Sequence, residues 1–263
     1  MKNNSWKKWY RGKTVLITGA TSGIGLAMAR ELASVCSCLL LVGRNQVVLD
    51  SLPLELMKDN DVEVLGFRCD LSQQRCVDQL IFDVKAKYKV DVLINNAGFG
   101  FFGAFSDHDP SELSSMVDVN VTALSALTLA FVSDMKGRQG SGILNVGSVA
   151  SFFPIPGSAM YGATKYFVRS FTEALHRELL THHVHVSGLY PGVTYSDFLK
   201  RATHGQKEQW ERAMTAEDVA LQGLKGLAIN QLRVVPGLSN KLKVFIAHHV
   251  PVQFLLMKSR FKD

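Results

Sequence analysis

Three observations predict an α/β fold: one doubly wound, mostly parallel seven-stranded sheet with helices on both faces. Short apolar runs of strand length alternate with longer amphipathic stretches along nearly the whole chain. Those runs are largely apolar, as expected of strands covered on both faces of a parallel sheet. No repeat, low-complexity stretch or Pro/Gly/Ser-rich linker divides the 263 residues, so a single domain holds them.

The elements follow in chain order. Strands are predicted at 14–18, 38–42, 62–67, 91–95, 142–146, 184–189 and 232–235. Between them, amphipathic stretches such as 72–88, 110–135 and 158–181 read as helices. Thr215, followed by Ala216-Glu217-Asp218, looks like a helix start, a threonine cap with acids in the first turn. Right-handed crossovers join such strands, and ligands bind beyond the strands' carboxyl ends. Gly19, Arg44, Asp70, Asn95 and Gly147-Ser148 all fall at or just past those ends and should converge.

Composition narrows the function. A hydrophobic content of 47% supports a substantial core. Cys36, Cys38, Cys69 and Cys76 lack metal or redox spacing and sit in apolar or helical contexts, as free thiols do in a reducing compartment. The net charge of +6 is concentrated at the ends: residues 1–13 and 233–263 carry +5 each, leaving −4 for the body. A body without a broad basic face argues against nucleic acid as a partner. The basic ends bear Trp6, Trp9, Tyr10, Phe254 and Phe261, side chains suited to touching an anionic membrane surface. The opening residues lack the apolar stretch of a signal peptide. The apolar run at 242–257 is interrupted by Lys243, His248, His249 and Pro251, too polar for a membrane span. A cytoplasmic protein is expected, soluble or peripherally membrane-associated and not secreted. His108, His182, His183, His185, His248 and His249 lack a partner set of carboxylates or thiolates, so no metal is expected.

Two local patterns carry chemistry. The first strand runs into Thr18-Gly19-Ala20-Thr21-Ser22-Gly23-Ile24-Gly25, and a helical pattern follows. Glycines there allow a tight turn and let a phosphate approach the backbone at a helix N-terminus. About 20 residues further on, where an NAD site places an acid for the ribose diol, the chain has Arg44. A guanidinium suits a 2′-phosphate through bidentate bonds, so NADP(H) is the expected cofactor. Tyr161 and Lys165 stand four residues apart, on one face of a predicted helix. A cation beside a phenol favours phenolate and lowers its pKa.

Together with Asn95-Asn96-Ala97-Gly98, Val119-Asn120-Val121, Ser148 and Pro191-Gly192, these motifs stand in the order and approximate spacing of a known family. From about residue 12 to 236 the chain resembles the short-chain dehydrogenase/reductase superfamily. The resemblance implies a Rossmann-like fold and hydride transfer between NADP(H) and a carbonyl or alcohol. It assigns Tyr161 as general acid, and Lys165 as the neighbour that lowers its pKa and bonds the nicotinamide ribose. Ser148 would bond the substrate oxygen, and Asn120 would hold a water linking Lys165 to solvent. Gly19, Thr21, Ser22, Gly23, Ile24 and Gly25 would form the phosphate turn. Asp70 and Leu71 would meet the adenine, although Asp70 reads equally well as a cap before Ser72. Asn96, Ala97 and Gly98 would support the sheet and line the adenosine ribose. Pro191, Gly192, Val193 and Thr194 would meet the nicotinamide carboxamide.

Two positions depart from the family pattern. Ser22 stands where relatives often carry a basic residue, which leaves Arg44 most of the NADP preference. Gly147 stands where serine or another small residue is common.

Segments expected over the pocket are apolar: Phe99, Phe101, Phe102 and Phe105, then 152–156, then Tyr195, Phe198 and Leu199. They favour an apolar ketone, aldehyde or acyl-chain carbonyl over a sugar, with residues 195–212 as a lid. NADPH-dependent carbonyl reduction is the leading expectation. Its alternatives are NADP-dependent alcohol oxidation of the hydroxysteroid type and a non-catalytic NADP(H)-binding module for regulation or assembly. The expected division is a basic extension at 1–12, a catalytic domain at 13–236 and a helical extension at 237–263. That last segment would cover the pocket or mediate oligomer or membrane contact, and a homodimer or homotetramer is expected.

Overall fold

The structure, a computed structural model, describes residues 5–195, 198, 202–203 and 213–258. Its seven strands are β1 (Thr14–Thr18), β2 (Cys38–Gly43), β3 (Glu63–Arg68), β4 (Val92–Asn95), β5 (Ser141–Val146), β6 (Val184–Leu189) and β7 (Arg233–Val234). They lie in the order β3-β2-β1-β4-β5-β6-β7, and every neighbouring pair is parallel. The described sheet is therefore wholly rather than mostly parallel. Strand order reverses between β1 and β4, which opens a crevice at the carboxyl edge.

Helices α1 (Ser5–Tyr10), α2 (Gly23–Ala33), α3 (Gln46–Lys58) and α8 (Ala216–Ala228) pack on one face. Helices α4 (Gln74–Lys87), α6 (Leu124–Met135) and α7 (Ala159–Leu179) pack on the other. Successive strand residues point to opposite faces. Thus Val15 and Ile17 join the first core, while Leu16 joins the second. Thr215 caps α8 as expected, its Oγ1 accepting from Asp218 N at 3.1 Å.

The predicted helix at 110–135 is interrupted. Helix α5 (Pro110–Val117) passes into a π-helical turn, Asp118–Ala123, before α6 begins. Such turns occur at functional sites, and this one carries Asn120. The stretch is long and apolar enough to cross a membrane, yet Leu127, Phe131 and Met135 are buried against the sheet, as in a core helix.

The N-terminal segment corrects an expectation. Trp6, Trp9 and Tyr10 have the i, i+3, i+4 spacing of one helix face, and α1 turns that face inward. Trp6 and Tyr10 are buried, the Tyr10 hydroxyl donates to Leu224 O at 2.9 Å, and Trp9 stacks on His185 with ring centroids 5.1 Å apart. The aromatics that suggested membrane contact at this end are part of the core. Two further helices, α9 (Leu238–His249) and α10 (Val252–Lys258), follow β7.

Trp6→Ala should lower the unfolding free energy by about 3–5 kcal/mol, measured by chemical denaturation. A loss below about 1 kcal/mol would show that α1 is not a core element.

Candidate active site

The strand ends open on a cleft of about 610 Å³. One half is built around the glycine turn. Gly19 (φ +65°) and Gly23 (φ +53°) occupy the left-handed region that favours glycine. A Cβ on Gly25 would collide with the Gly19 carbonyl and the Asn96 amide. Gly25 therefore lies beneath the cleft rather than lining it. Thr18 and Asn96 lock the turn to the end of β4. Asn96 Nδ2 donates to Thr18 O (2.8 Å) and Gly19 O (3.2 Å), while Thr18 Oγ1 accepts from Asn96 N and Ala97 N, both at 3.0 Å.

Ser22 occupies the N-cap position of α2 without a side-chain cap bond. The first N–H groups of that helix, on the cleft-lining Gly23 and Ile24, are orphan donors with a positive dipole behind them.

Thr21, Arg44, Asp70 and Leu71 line the same half. Thr21 packs so closely on Gly43 that a Cβ there would sit 2.5 Å from its methyl. Arg44 is exposed and has no ion-pair partner among the described residues. Asn45, which the sequence reading passed over, lines the rim beside it and caps α3 by accepting from Val48 N at 3.3 Å. Its signal was present, an asparagine immediately before a helix. Asp70 Oδ1 accepts from Ser72 N (3.1 Å) and Ser72 Oγ (2.9 Å), so the capping reading is realised at a turn, and α4 starts later, at Gln74. Orphan donors, a backbone without side chains and an unpaired guanidinium together fit a phosphorylated dinucleotide.

The other half centres on α7. Tyr161 and Lys165 lie one turn apart, 9% and 4% exposed. Lys165 Nζ donates to Val146 O at 3.1 Å and lies 5.7 Å from the Tyr161 ring centroid. Gly98 makes room for this group, since a Cβ there would sit 3.0 Å from Asn120 Oδ1 and 3.1 Å from Lys165 Nζ. Asn120 stands behind the cleft wall. Its Oδ1 accepts from Phe99 N (3.1 Å), and its Nδ2 donates to Phe99 O (2.9 Å) and Thr164 Oγ1 (3.0 Å). These bonds give the side chain a positioning task. Thr164, also passed over, ties this network to Tyr161 O at 2.8 Å.

Ser148 begins the short 3-10 turn Val149–Ser151. Its Oγ accepts from Ala150 N at 3.1 Å and stands close enough to the Tyr161 phenol to pull its pKa down. Pro191, Gly192, Val193 and Thr194 follow β6 and close the floor, with Asn240 of α9 packed against Gly192.

Electrostatics correct the sequence reading in one respect. Burial pushes the Tyr161 phenol up to about 12, with the Ser148 hydrogen bond pulling the other way. Burial also drives Lys165 down to about 8. Desolvation disfavours the charged form of both groups, so the phenol beside its cation is raised rather than lowered.

Phe99, Phe102, Ile155 and Phe198 line the cleft. Phe101 lies behind them, edge-on to Phe99 at 5.6 Å, Phe105 is exposed, and Phe152 is buried edge-on to Tyr190 at 5.1 Å. Tyr195 is exposed. Leu199 and most of the expected lid at 195–212 lie outside the described residues.

Lys165 generates a stability prediction with a definite sign. In the unfolded chain the lysine holds its proton to about 10.4, whereas in the fold it releases it at about 8. Between those values the unfolded state binds more protons, so the residue's contribution to stability rises with pH. Relative to Lys165→Met, the wild type should gain about 2 kcal/mol between pH 7 and pH 9.5, read from denaturation curves. A pH-independent difference would mean that the ammonium is not desolvated.

A family model described as short chain dehydrogenase matches residues 13–207. Sulfoacetaldehyde reductase of Chromohalobacter salexigens is 36% identical over 217 residues, 79% of this chain and 85% of that protein. A short-chain dehydrogenase from Sphingobium yanoikuyae, solved in complex with NADPH, superposes with a TM-score of 0.81 at 28% identity, covering 95% of this chain and 98% of that one. A short-chain dehydrogenase/reductase from Burkholderia phymatum in complex with NAD superposes at 0.82 with 25% identity, covering 97% and 98%. The chain belongs to the short-chain dehydrogenase/reductase family of NAD(P)-dependent oxidoreductases, which act on alcohol and carbonyl groups.

Proposed function

We propose that this enzyme uses NADPH to reduce the carbonyl of an apolar ketone or aldehyde. The observation that carries the reading is a cleft with an unpaired guanidinium, Arg44, at one end and a buried, protonated phenol, Tyr161, at the other. Arg44 would hold a 2′-phosphate, and the orphan N–H groups of Gly23 and Ile24 the pyrophosphate. Asp70 and Leu71 would meet the adenine, and Ala97 and Gly98 its ribose, on a turn braced by Asn96 and Gly25. Pro191, Gly192, Val193 and Thr194 would meet the carboxamide.

When bound, the nicotinamide supplies a hydride for the carbonyl carbon. With a pKa near 12 the phenol keeps its proton at neutral pH, so Tyr161 can donate it from Oη to the oxygen that becomes an alkoxide. The Ser148 hydroxyl, oriented by Ala150 N, donates to the same oxygen and stabilises its developing charge. Lys165 offsets the negative charge left on the phenolate, while Asn120 and Thr164 hold the helix in place. A protonated phenol is the form from which reduction starts.

Apolar selectivity rests on Phe99, Phe102, Ile155 and Phe198. Besides Arg44 and Lys165, no cation lines the cleft among the described residues. An oligomer belongs to this reading too: Leu129 of α6 is 76% exposed, and Phe167 and Phe171 stack on the outer side of α7.

Tyr161→Phe should cut turnover by about 10²–10⁴-fold while NADPH still binds, measured by NADPH oxidation across aldehydes, steroids, 3-ketoacyl thioesters and diketones. Retained turnover would refute the role. Arg44→Asp should weaken NADPH binding by about 10–100-fold without a matching loss for NADH. An unchanged preference would remove the NADP assignment.

A further inference from the structure

Helix α9 is amphipathic in an unusual sense. Its inner face, Asn240, Val244 and His248, is spaced i, i+4, i+8 and holds it to the fold. Asn240 is buried and donates to Pro236 O at 2.8 Å, and His248 Nε2 lies 3.5 and 3.4 Å from guanidinium nitrogens of Arg169 and Arg233. Its outer face is apolar and open to solvent. Leu238 (83% exposed), Leu242 (59%), Phe245 (60%) and Ile246 (41%) follow one another at i, i+4, i+7 and i+8. After the Val250-Pro251 bend, α10 adds Val252 and Phe254, each 53% exposed. A helix in water does not ordinarily present so many large side chains together.

Charge identifies what meets this face. Lys241 and Lys243 are exposed among the apolar residues, and no acid occurs between residues 219 and 262. A second copy placed symmetrically on the same face would bring like charges together, whereas an anionic surface would attract them. Lysine stems can lie along apolar surface while their ammonium groups reach headgroups. We propose that α9 and α10 dock the enzyme on an anionic lipid bilayer, the apolar side chains entering the interface and the lysines meeting lipid phosphates. The helix pair borders the cleft, since Asn240 packs on the cleft-lining Gly192. A docked enzyme thus holds its cleft next to the bilayer. The proposal does not depend on the substrate reading.

The test is co-sedimentation of the full chain with vesicles of phosphatidylcholine alone or with added phosphatidylglycerol. Binding should appear with the anionic vesicles, fall sharply at high salt and be at least about tenfold weaker for Lys241→Glu/Lys243→Glu. Leu242→Glu/Phe245→Glu should abolish it, with the denaturation midpoint and NADPH affinity unchanged. Equal partition onto neutral and anionic vesicles, no binding to either, or undiminished binding of the glutamate variants would overturn the proposal. So would a dimer in sedimentation velocity that Leu242→Glu/Phe245→Glu splits, since the occupant would then be a second copy.

Discussion

Lys165 is an ammonium group buried in the fold with a backbone carbonyl, Val146 O, as its hydrogen-bond partner and no carboxylate paired with it among the described residues. Burying a cation this way costs stability, and the surroundings are shaped to make it tolerable. Gly98 has no side chain, because a Cβ would press on the ammonium. The π-helical turn swings Asn120 onto Phe99 and Thr164, which fixes the first turn of α7. Strand β5 must end at Val146 for its carbonyl to point at the lysine, and Ser148 then falls opposite Tyr161.

The same desolvation that strains the lysine keeps the phenol protonated. Sequence spacing alone suggests that the cation lowers the phenol's pKa, yet both groups are pushed toward neutrality. An added positive charge near the pair would count heavily in this low-dielectric site. The arrangement is poised to respond to what the cleft binds.

Much of the fold was legible because the central strands are nearly continuous apolar runs. Strand β7 was predicted at four residues and spans two, pairing with β6 only at Gly188 and Leu189. The break within 110–135 was not legible, because a single π turn only slips the helical pattern locally and leaves the stretch apolar on both sides of it. In the site, the glycine turn, Arg44, Ser148, Tyr161 and Lys165 could be read from motif and spacing. Asn45 carried a local signal, an asparagine just before a helix, that went unread; Thr164 carried none, since its bond to Asn120 spans 44 residues. The N-terminal aromatics were misread through composition: their helical spacing, not their charge context, held the information. Leu242, Phe245 and Phe254 show the converse, apolar residues at core spacing that the fold leaves in solvent.

The most direct test of the buried pair is the ionisation of Tyr161, followed by near-ultraviolet phenolate absorbance as wild type minus Tyr161→Phe. Without nucleotide the difference should stay flat from about pH 7 to 10. With NADP⁺, whose oxidised ring is cationic, phenolate should appear within that range. A phenol that ionises below about pH 9 without nucleotide, or one that NADP⁺ leaves unmoved, would contradict desolvation as the force that sets the site.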